Sequence, residues 1–505
     1  MKIPRNTSRC LILFLFGILL LSLFLRLFQF FAQIDDHHGW RQAQNIVCSS
    51  QIISLGWEGF FFPIFPGYGI SGHVCLELPL IQLLVAMIFK LGIPFELAGR
   101  IVGIFFSLAQ GALLFIWVRH STRSARLGLI SAALWGILPL SVYYGRTTVL
   151  EIPAVFFFSL FLFAFQLWAS GFRLFHFWLW VISGTVLGLI RPNFLVVLSL
   201  VLLRQIWLFR KEIWKGNFFR LLIGLGMIVS ITVGWRGIAD NETLRLNPSM
   251  AFQNLLGHYF GNSFSSALSQ IQVVFSRELF EGFLFSHIGI LLLLLGFFSR
   301  KNYKISFLGP LRWGIFGFLI YICVFPNLNF QHTYYSLVVY SVAVPIMANG
   351  FDVFIRRATK RQIFRLIIAV FVLISIGKET IEIFSRLTRP TVPDTQIYAA
   401  ISRQFIPSGK RVSILTPFWS ENLLHRYLIP GAFESKDVVK FDKKELARIM
   451  GEGFDYLLIE DPIIGISVNP LLSNIIPKSA LITYNQYVAI ADLAKIPGRR
   501  TNRTK

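Results

Sequence analysis

The sequence predicts an all-α protein that crosses a membrane many times and carries a small α/β domain at its C-terminal end. Three observations predict it. Hydrophobic residues make up 55% of the 505 and charged residues only 14%, with 52 Phe and 12 Trp among them. The apolar residues gather into runs of bilayer length, roughly 17–25 residues. Lys and Arg concentrate in every second break between those runs. No water-soluble core could bury so much apolar side chain, and mean hydropathy is +0.63. A soluble enzyme, a disordered chain and a secreted disulfide scaffold are therefore excluded. The net charge of +23 would otherwise suggest nucleic acid. Because the basic residues fall in membrane loops, no nucleic-acid partner is expected. The four Cys form no CxxC pattern, so neither a zinc site nor a redox motif is visible.

The first run, 10–32, follows Lys2, Arg5 and Arg9. It is long and lacks a small-x-small cleavage site, so it reads as a retained anchor with a cytoplasmic N-terminus. Further runs lie near 98–118, 127–143, 152–170, 174–190, 193–209, 219–237, 284–299, 311–326, 333–350 and 364–385. Together these make about eleven spanning helices. Alternating sides from the N-terminus puts Arg119, Arg123 and Arg126 inside, then Arg173, then Arg204, Arg210, Lys211, Lys215 and Arg220. The last two inner loops hold Arg300, Lys301, Lys304 and Arg312, and then Arg356, Arg357, Lys360, Arg361 and Arg365. Loops assigned outside are sparse in both residues. Leu78–Leu91 decides the count, because a crossing there would reverse every loop downstream. At about 14 residues it is short for a span, and it reads as an interfacial helix within one long outer loop, 33–97.

An odd number of spans places the tail outside. The expected organisation is a membrane module over 1–389 and an extracytoplasmic α/β domain over 390–505, in a multi-pass protein of the cell (inner or plasma) membrane. In the tail, Val412–Leu415 and Tyr456–Ile459 read as short buried strands. Ser420–Tyr427 and Lys444–Met450 read as helices.

Ionisable residues beside a bilayer are costly, so each outer cluster is a functional candidate. The richest is Asp35-Asp36-His37-His38-Gly39-Trp40-Arg41-Gln42, directly after the first span. Others are Arg146 and Glu151 in the turn before the fourth span, Arg191-Pro192-Asn193, His332-Thr333-Tyr334-Tyr335, and Glu77-Leu78-Pro79. All fall on one side at headgroup height. Carboxylates there suit activation of a hydroxyl, and cations suit a lipid-linked phosphate. Headgroup anchoring and helix-dipole preferences account for single members of this set, but less readily for all of them.

At these positions the sequence resembles the integral-membrane glycosyltransferases of the GT-C fold. The likeness is to bacterial relatives of protein O-mannosyltransferases and aminoarabinose transferases (family 39-like). Those families place an Asp in the first outer loop, followed by an aromatic residue, as Asp36 and Trp40 do here. One bacterial branch reads His-His-Ser-Trp-Arg-Gln-Ala-Asp, close to the run from His37 to Gln44. The spacing of Arg146 and Glu151, the Glu77-Leu78-Pro79-Leu80 run and the His332–Tyr335 run have counterparts as well. The sequence departs from the pattern at His37, Gln44 and Glu151, where the families carry Glu, Asp and Asp.

The resemblance implies an inverting transfer of a sugar from a polyprenyl-phosphate donor to a protein, lipid or glycan acceptor outside the membrane. It assigns Asp36 as general base and Glu151 to orienting acceptor or donor sugar. Arg146, Arg191 and His332 would hold the donor phosphate. His37, His38, Trp40, Arg41, Glu77 and Tyr335 would shape the site. No cofactor is implied with certainty, and participation of a divalent metal stays open. Cys48 and Cys75, both in the first outer loop, form a candidate disulfide. Two other readings stay open. One is a transporter or flippase of lipid-linked sugar, against which the placement of charge at helix ends argues. The other is a non-catalytic scaffold of the same fold.

Overall fold

The computed structural model describes residues 5–31, 34, 37–65, 73–74, 77–246, 264–282, 284–299, 305–359 and 361–388. Further on it describes 405–407, 410, 412–416, 432–437, 442–451, 454–460, 476, 478–484 and 488–496. By contact the chain divides into two compact units. The first holds Met1–Ala32, Leu76–Asp240 and Phe252–Leu387, and the second Gln33–Cys75, Asn241–Ala251 and Thr388–Lys505.

The apolar runs of the sequence are helical in the first unit, the third of them, 127–143, as two helices. They begin with α1 (Arg5–Leu27) and, after α2 (Gly39–Leu55) and α3 (Trp57–Phe61) of the second unit, resume with the short α4 (Leu80–Phe89) and α5 (Phe95–Thr122). There follow α6 (Ala125–Ile137), α7 (Pro139–Tyr144), α8 (Glu151–Gly171), α9 (Leu174–Ile190), α10 (Leu195–Leu208), α11 (Arg210–Trp214) and α12 (Phe218–Leu246). The series continues with α13 (Phe264–Phe275), α14 (His287–Phe298), α15 (Ile305–Val324), α16 (Pro326–Gln331), α17 (Tyr340–Ala358) and α18 (Gln362–Leu387). The interfacial segment is the 10-residue α4, too short to cross a hydrocarbon core. The protein is a multi-pass membrane protein.

Burial grades these helices. Within Thr333–Ala358, 94% of the residues of its most apolar 18-residue stretch are buried, at the centre of the bundle, whereas only 11% of those in Cys10–Leu27 are, and its apolar side chains face outward. Outward apolar faces suit helices whose solvent is lipid. At the centre, α14 and α17 touch backbone to backbone. A Cβ on Gly296 would strike the Ile346 carbonyl, and one on Gly350 the Leu292 carbonyl. Small residues at such crossings let dispersion contacts drive helix association in lipid. Trp117, Trp135, Trp168 and Trp180 fill the remaining core, the last two with ring centroids 5.6 Å apart.

Contacts join residues that the charge pattern assigned to the same side. Asp352 near the end of α17 pairs with Arg126 at the start of α6 (3.0 Å) and with Arg356 (2.9 Å), all in loops assigned inside. At the other ends, Glu77, Arg191 and Glu151 meet, as do Tyr144 and Thr333.

In the second unit, β1 (Ile64–Phe65) and β2 (His73–Val74) form an antiparallel ladder. The C-terminal region holds β3 (Val412–Thr416), β4 (Ala432–Asp437), helix α19 (Lys443–Gly451), β5 (Tyr456–Glu460), β6 (Leu481–Tyr484) and β7 (Val488–Asp492). Its sheet runs β4-β3-β5-β7-β6, with β3 parallel to β4 and β5, and β7 antiparallel to β5 and β6. Val412, Ser413, Ile414 and Leu415 are all buried, as a strand covered on both faces requires. Leu446 and Ile449 of α19 pack with Leu415, Leu457 and Ile459. Strands β3 and β5 and helix α19 fall where the sequence put them. The helix expected over Ser420–Tyr427 lies outside the described residues.

Candidate active site

Three helix ends of the first unit bring the candidate residues together. Glu151 is the first residue of α8, where the helix dipole favours a carboxylate. Arg191 stands where α9 stops, in a non-helical conformation (φ −146°) enforced by the following Pro192. Glu77 precedes Pro79, the N-cap of α4. Arg191 Nε donates to Glu151 Oε1 (2.7 Å), its Nη2 lies 2.6 Å from the same oxygen, and its Nη1 donates to Glu77. The Tyr335 ring covers the guanidinium, 5.6 Å from its centroid. Glu151 and Arg191 are buried, and Glu77 is partly exposed.

Two carboxylates on one guanidinium leave the group with a net negative charge, which burial would oppose if Arg191 were absent. Arg191, which the sequence suggested for a lipid phosphate, thus has its nitrogens turned to Glu77 and Glu151. Only one oxygen of Glu151 is used. Its Oε2 is buried and accepts no hydrogen bond from the described residues. A buried carboxylate oxygen left so costs free energy, and such an atom calls for an explanation.

A second group borders the first. The Tyr144 hydroxyl and Thr333 Oγ1 lie 2.5 Å apart. The neighbouring His332 ring stacks on Tyr334 (centroids 5.2 Å apart, 6° between planes) and lies 5.8 Å from Tyr335. Arg146 Nη1 donates to the Gln29 carbonyl (3.3 Å), and its guanidinium lies over the rings of Tyr143 (5.4 Å) and Phe384 (4.9 Å). Arg100 Nη1 donates to the same carbonyl (3.2 Å) and to that of Phe30. Both arginines are buried.

A third group fastens the segment that follows α13. Arg277 Nη2 donates to Glu278 (2.8 Å) and to the Asn329 carbonyl (2.8 Å), and its Nη1 donates to that of Phe330 (3.0 Å). Ser336 donates to Glu278 Oε1 (3.2 Å). Burial pushes the Glu278 carboxyl above its ordinary range, against the opposing pull of Arg277.

Asp36, the expected base, and Asp35 lie outside the described residues, as does Cys75 of the candidate disulfide. His37, His38, Trp40 and Arg41 belong to the second unit. There the His37 and His38 rings lie 3.9 Å apart, and His38 adopts a left-handed backbone (φ 58°) that starts α2. The side chain of Arg41 is buried and donates to Gln44 Oε1. Among the described residues no three His, Cys, Asp or Glu gather as metal ligands.

The sequence pointed to none of Arg26, Arg100, Arg277 and Glu278, and gave Tyr144 and Thr333 no role beyond membership of a candidate run. Arg26 did carry a signal, as a charge inside an otherwise apolar run. Nothing local distinguished the others.

The chain has the GT-C fold, as its likeness to two solved structures shows. ArnT from Cupriavidus metallidurans, solved bound to undecaprenyl phosphate, superposes with a TM-score of 0.61 at 14% identity, over 95% of this chain and 98% of that one. The same protein in its apo state gives 0.55 at 12% identity, over 97% and 98%. The oligosaccharyltransferase of Archaeoglobus fulgidus, in complex with Zn and sulfate, gives 0.56 at 12% identity, over 89% of this chain and 68% of that one. No family model and no curated protein matches the sequence.

Proposed function

We propose that this chain is an inverting glycosyltransferase that moves a sugar from a polyprenyl-phosphate donor to an acceptor outside the cytoplasmic membrane. The observation that carries the reading is the state of Glu151. Arg191 pins one of its oxygens, and the other, buried Oε2 takes no hydrogen bond from the described residues. A fixed carboxylate with an open lone pair suits a sugar or acceptor hydroxyl. That the neighbour ArnT was solved with undecaprenyl phosphate supports the choice of donor.

In this mechanism Asp36 removes the proton of the acceptor hydroxyl or amine as its oxygen or nitrogen attacks the anomeric carbon. The bond from that carbon to the phosphate oxygen breaks, configuration inverts, and polyprenyl phosphate leaves with the bonding electrons. Arg146 meets the charge growing on the phosphate, with His332 as a further donor. Arg191 holds Glu151 in place through one carboxylate oxygen. Tyr335 and Glu77, both against Arg191, shape the site.

The test uses purified full-length protein in nanodiscs, a panel of polyprenyl-phosphate sugars, and release of free polyprenyl phosphate as the readout. Asp36→Asn should lower turnover by about 10² or more. It should leave donor binding intact, while Arg146→Ala should weaken that binding. Equal turnover by wild type and Asp36→Asn would overturn the assignment of the base.

A further inference from the structure

The third span of the bundle is broken. Pro139 ends α6 and starts α7, and its missing N–H and its ring remove the bonds that would continue the helix. The carbonyls of Trp135, Gly136 and Ile137 are those whose partners, four residues on, are lost at the break. At membrane depth such carbonyls need other donors.

Each has one, from a different element. Ser141 Oγ donates to the Trp135 carbonyl (2.6 Å), Arg26 Nη1 to that of Gly136 (3.1 Å), and Thr380 Oγ1 to that of Ile137 (2.5 Å). Arg26, from α1, is fully buried and spreads its remaining donors around the same junction. Its Nη2 reaches the Ser141 carbonyl (3.0 Å) and hydroxyl (2.8 Å), its Nε reaches Ser107 Oγ of α5 (2.7 Å), and its Nη1 turns back to Ser22 Oγ (2.7 Å). All of these acceptors are neutral, so the guanidinium is held by geometry rather than by an ion pair. Just beyond the break, a Cβ on Gly145 would collide with Arg26 Nε and the Ser141 carbonyl. The chain therefore turns directly against Arg26 at the residue before Arg146.

We propose that Arg26 is a positioning residue: with Ser141 and Thr380 it caps the broken helix and thereby fixes the turn that presents Tyr144 and Arg146. What that turn binds rests on the reading of the site given above. The clamp itself does not.

Hydrogen–deuterium exchange of the full-length protein tests the clamp without any ligand. In Arg26→Gln, in Arg26→Lys and in Thr380→Val, amides within 138–147 should exchange about tenfold faster, the effect of one lost hydrogen bond. Those within 155–170 should stay at wild-type rates. Lysine keeps the charge but cannot span acceptors on four elements, so it should not rescue. Should Arg26→Gln fail to fold, Thr380→Val still uncaps one carbonyl of the break without touching a charge. The affinity for undecaprenyl phosphate should weaken about tenfold in the same three variants. Unchanged exchange at 138–147, a uniform rise across α5 and α8, or full rescue by Arg26→Lys would each overturn the proposal. Wild-type protein that bound no undecaprenyl phosphate would refute the reading of the site, and the exchange result would still decide the clamp.

Discussion

Replacing Arg191 by Met removes the one charge that the buried Glu151 and the partly exposed Glu77 share. The group then changes from a compensated cluster to two facing acids, one fully buried. Breaking a buried pair in this way costs about 3–5 kcal/mol, mostly the desolvation of the charge left behind. Glu151→Gln is milder, because Arg191 keeps Glu77 and only a charge-assisted bond is lost, about 1.5–3 kcal/mol. A triple variant, Arg191→Met with Glu77→Gln and Glu151→Gln, leaves no buried charge and should recover most of the loss. The assay is the midpoint of thermal unfolding in a single detergent, followed by the fraction remaining monodisperse. The expected order is wild type above Glu151→Gln above Arg191→Met, with the triple variant above Arg191→Met. If Arg191→Met unfolded no earlier than Glu151→Gln, or the triple variant were no better than Arg191→Met, the shared-charge account would be refuted.

Other expectations are as direct. Asp35→Asn should retain transfer that Asp36→Asn loses; the reverse result would shift the motif by one residue. A reporter fused after Lys360 should be cytoplasmic and one after Lys410 external, and finding both on one side would remove the expected topology. Glu278 has a carboxyl raised by burial, so the folded state holds its proton over a pH range where the unfolded chain has released it. Stability from this group is therefore full in acid and lost as pH rises from the ordinary carboxylate range through the raised value. Glu278→Gln should unfold at the wild-type temperature in acid and at a higher one at neutral pH, and an advantage confined to acid would contradict the burial argument.

The spans were legible because a bilayer imposes a length and a composition that no neighbour can alter. The long run 127–143 was legible only as a run. It reads as one span, and neither its break at Pro139 nor the donors that make the break tolerable are anticipated there. Arg26 lies 110 residues from Gly136, and Thr380 lies 243 from Ile137. Spacing along the chain carries no trace of such pairings. The same holds for Glu77 and Arg191, 114 residues apart. Sequence chemistry selected both as site residues but could not show that they neutralise each other, which is why a phosphate was assigned to Arg191. In the tail, β3 and β5 announced themselves as short, mostly apolar runs. The Ala432–Asp437 strand reads AFESKD, a polar edge sequence that only pairing with β3 makes a strand.

The central claim is that the outer polar layer transfers sugar from a lipid phosphate. Mass spectrometry of membrane glycoconjugates tests it most directly, comparing cells lacking this protein with cells complemented by the wild type or by Asp36→Asn. The account predicts a glycoconjugate that loses one sugar mass in the deletion strain, regains it with the wild type, and does not regain it with Asp36→Asn. Identical glycoconjugate masses in all three strains would contradict it.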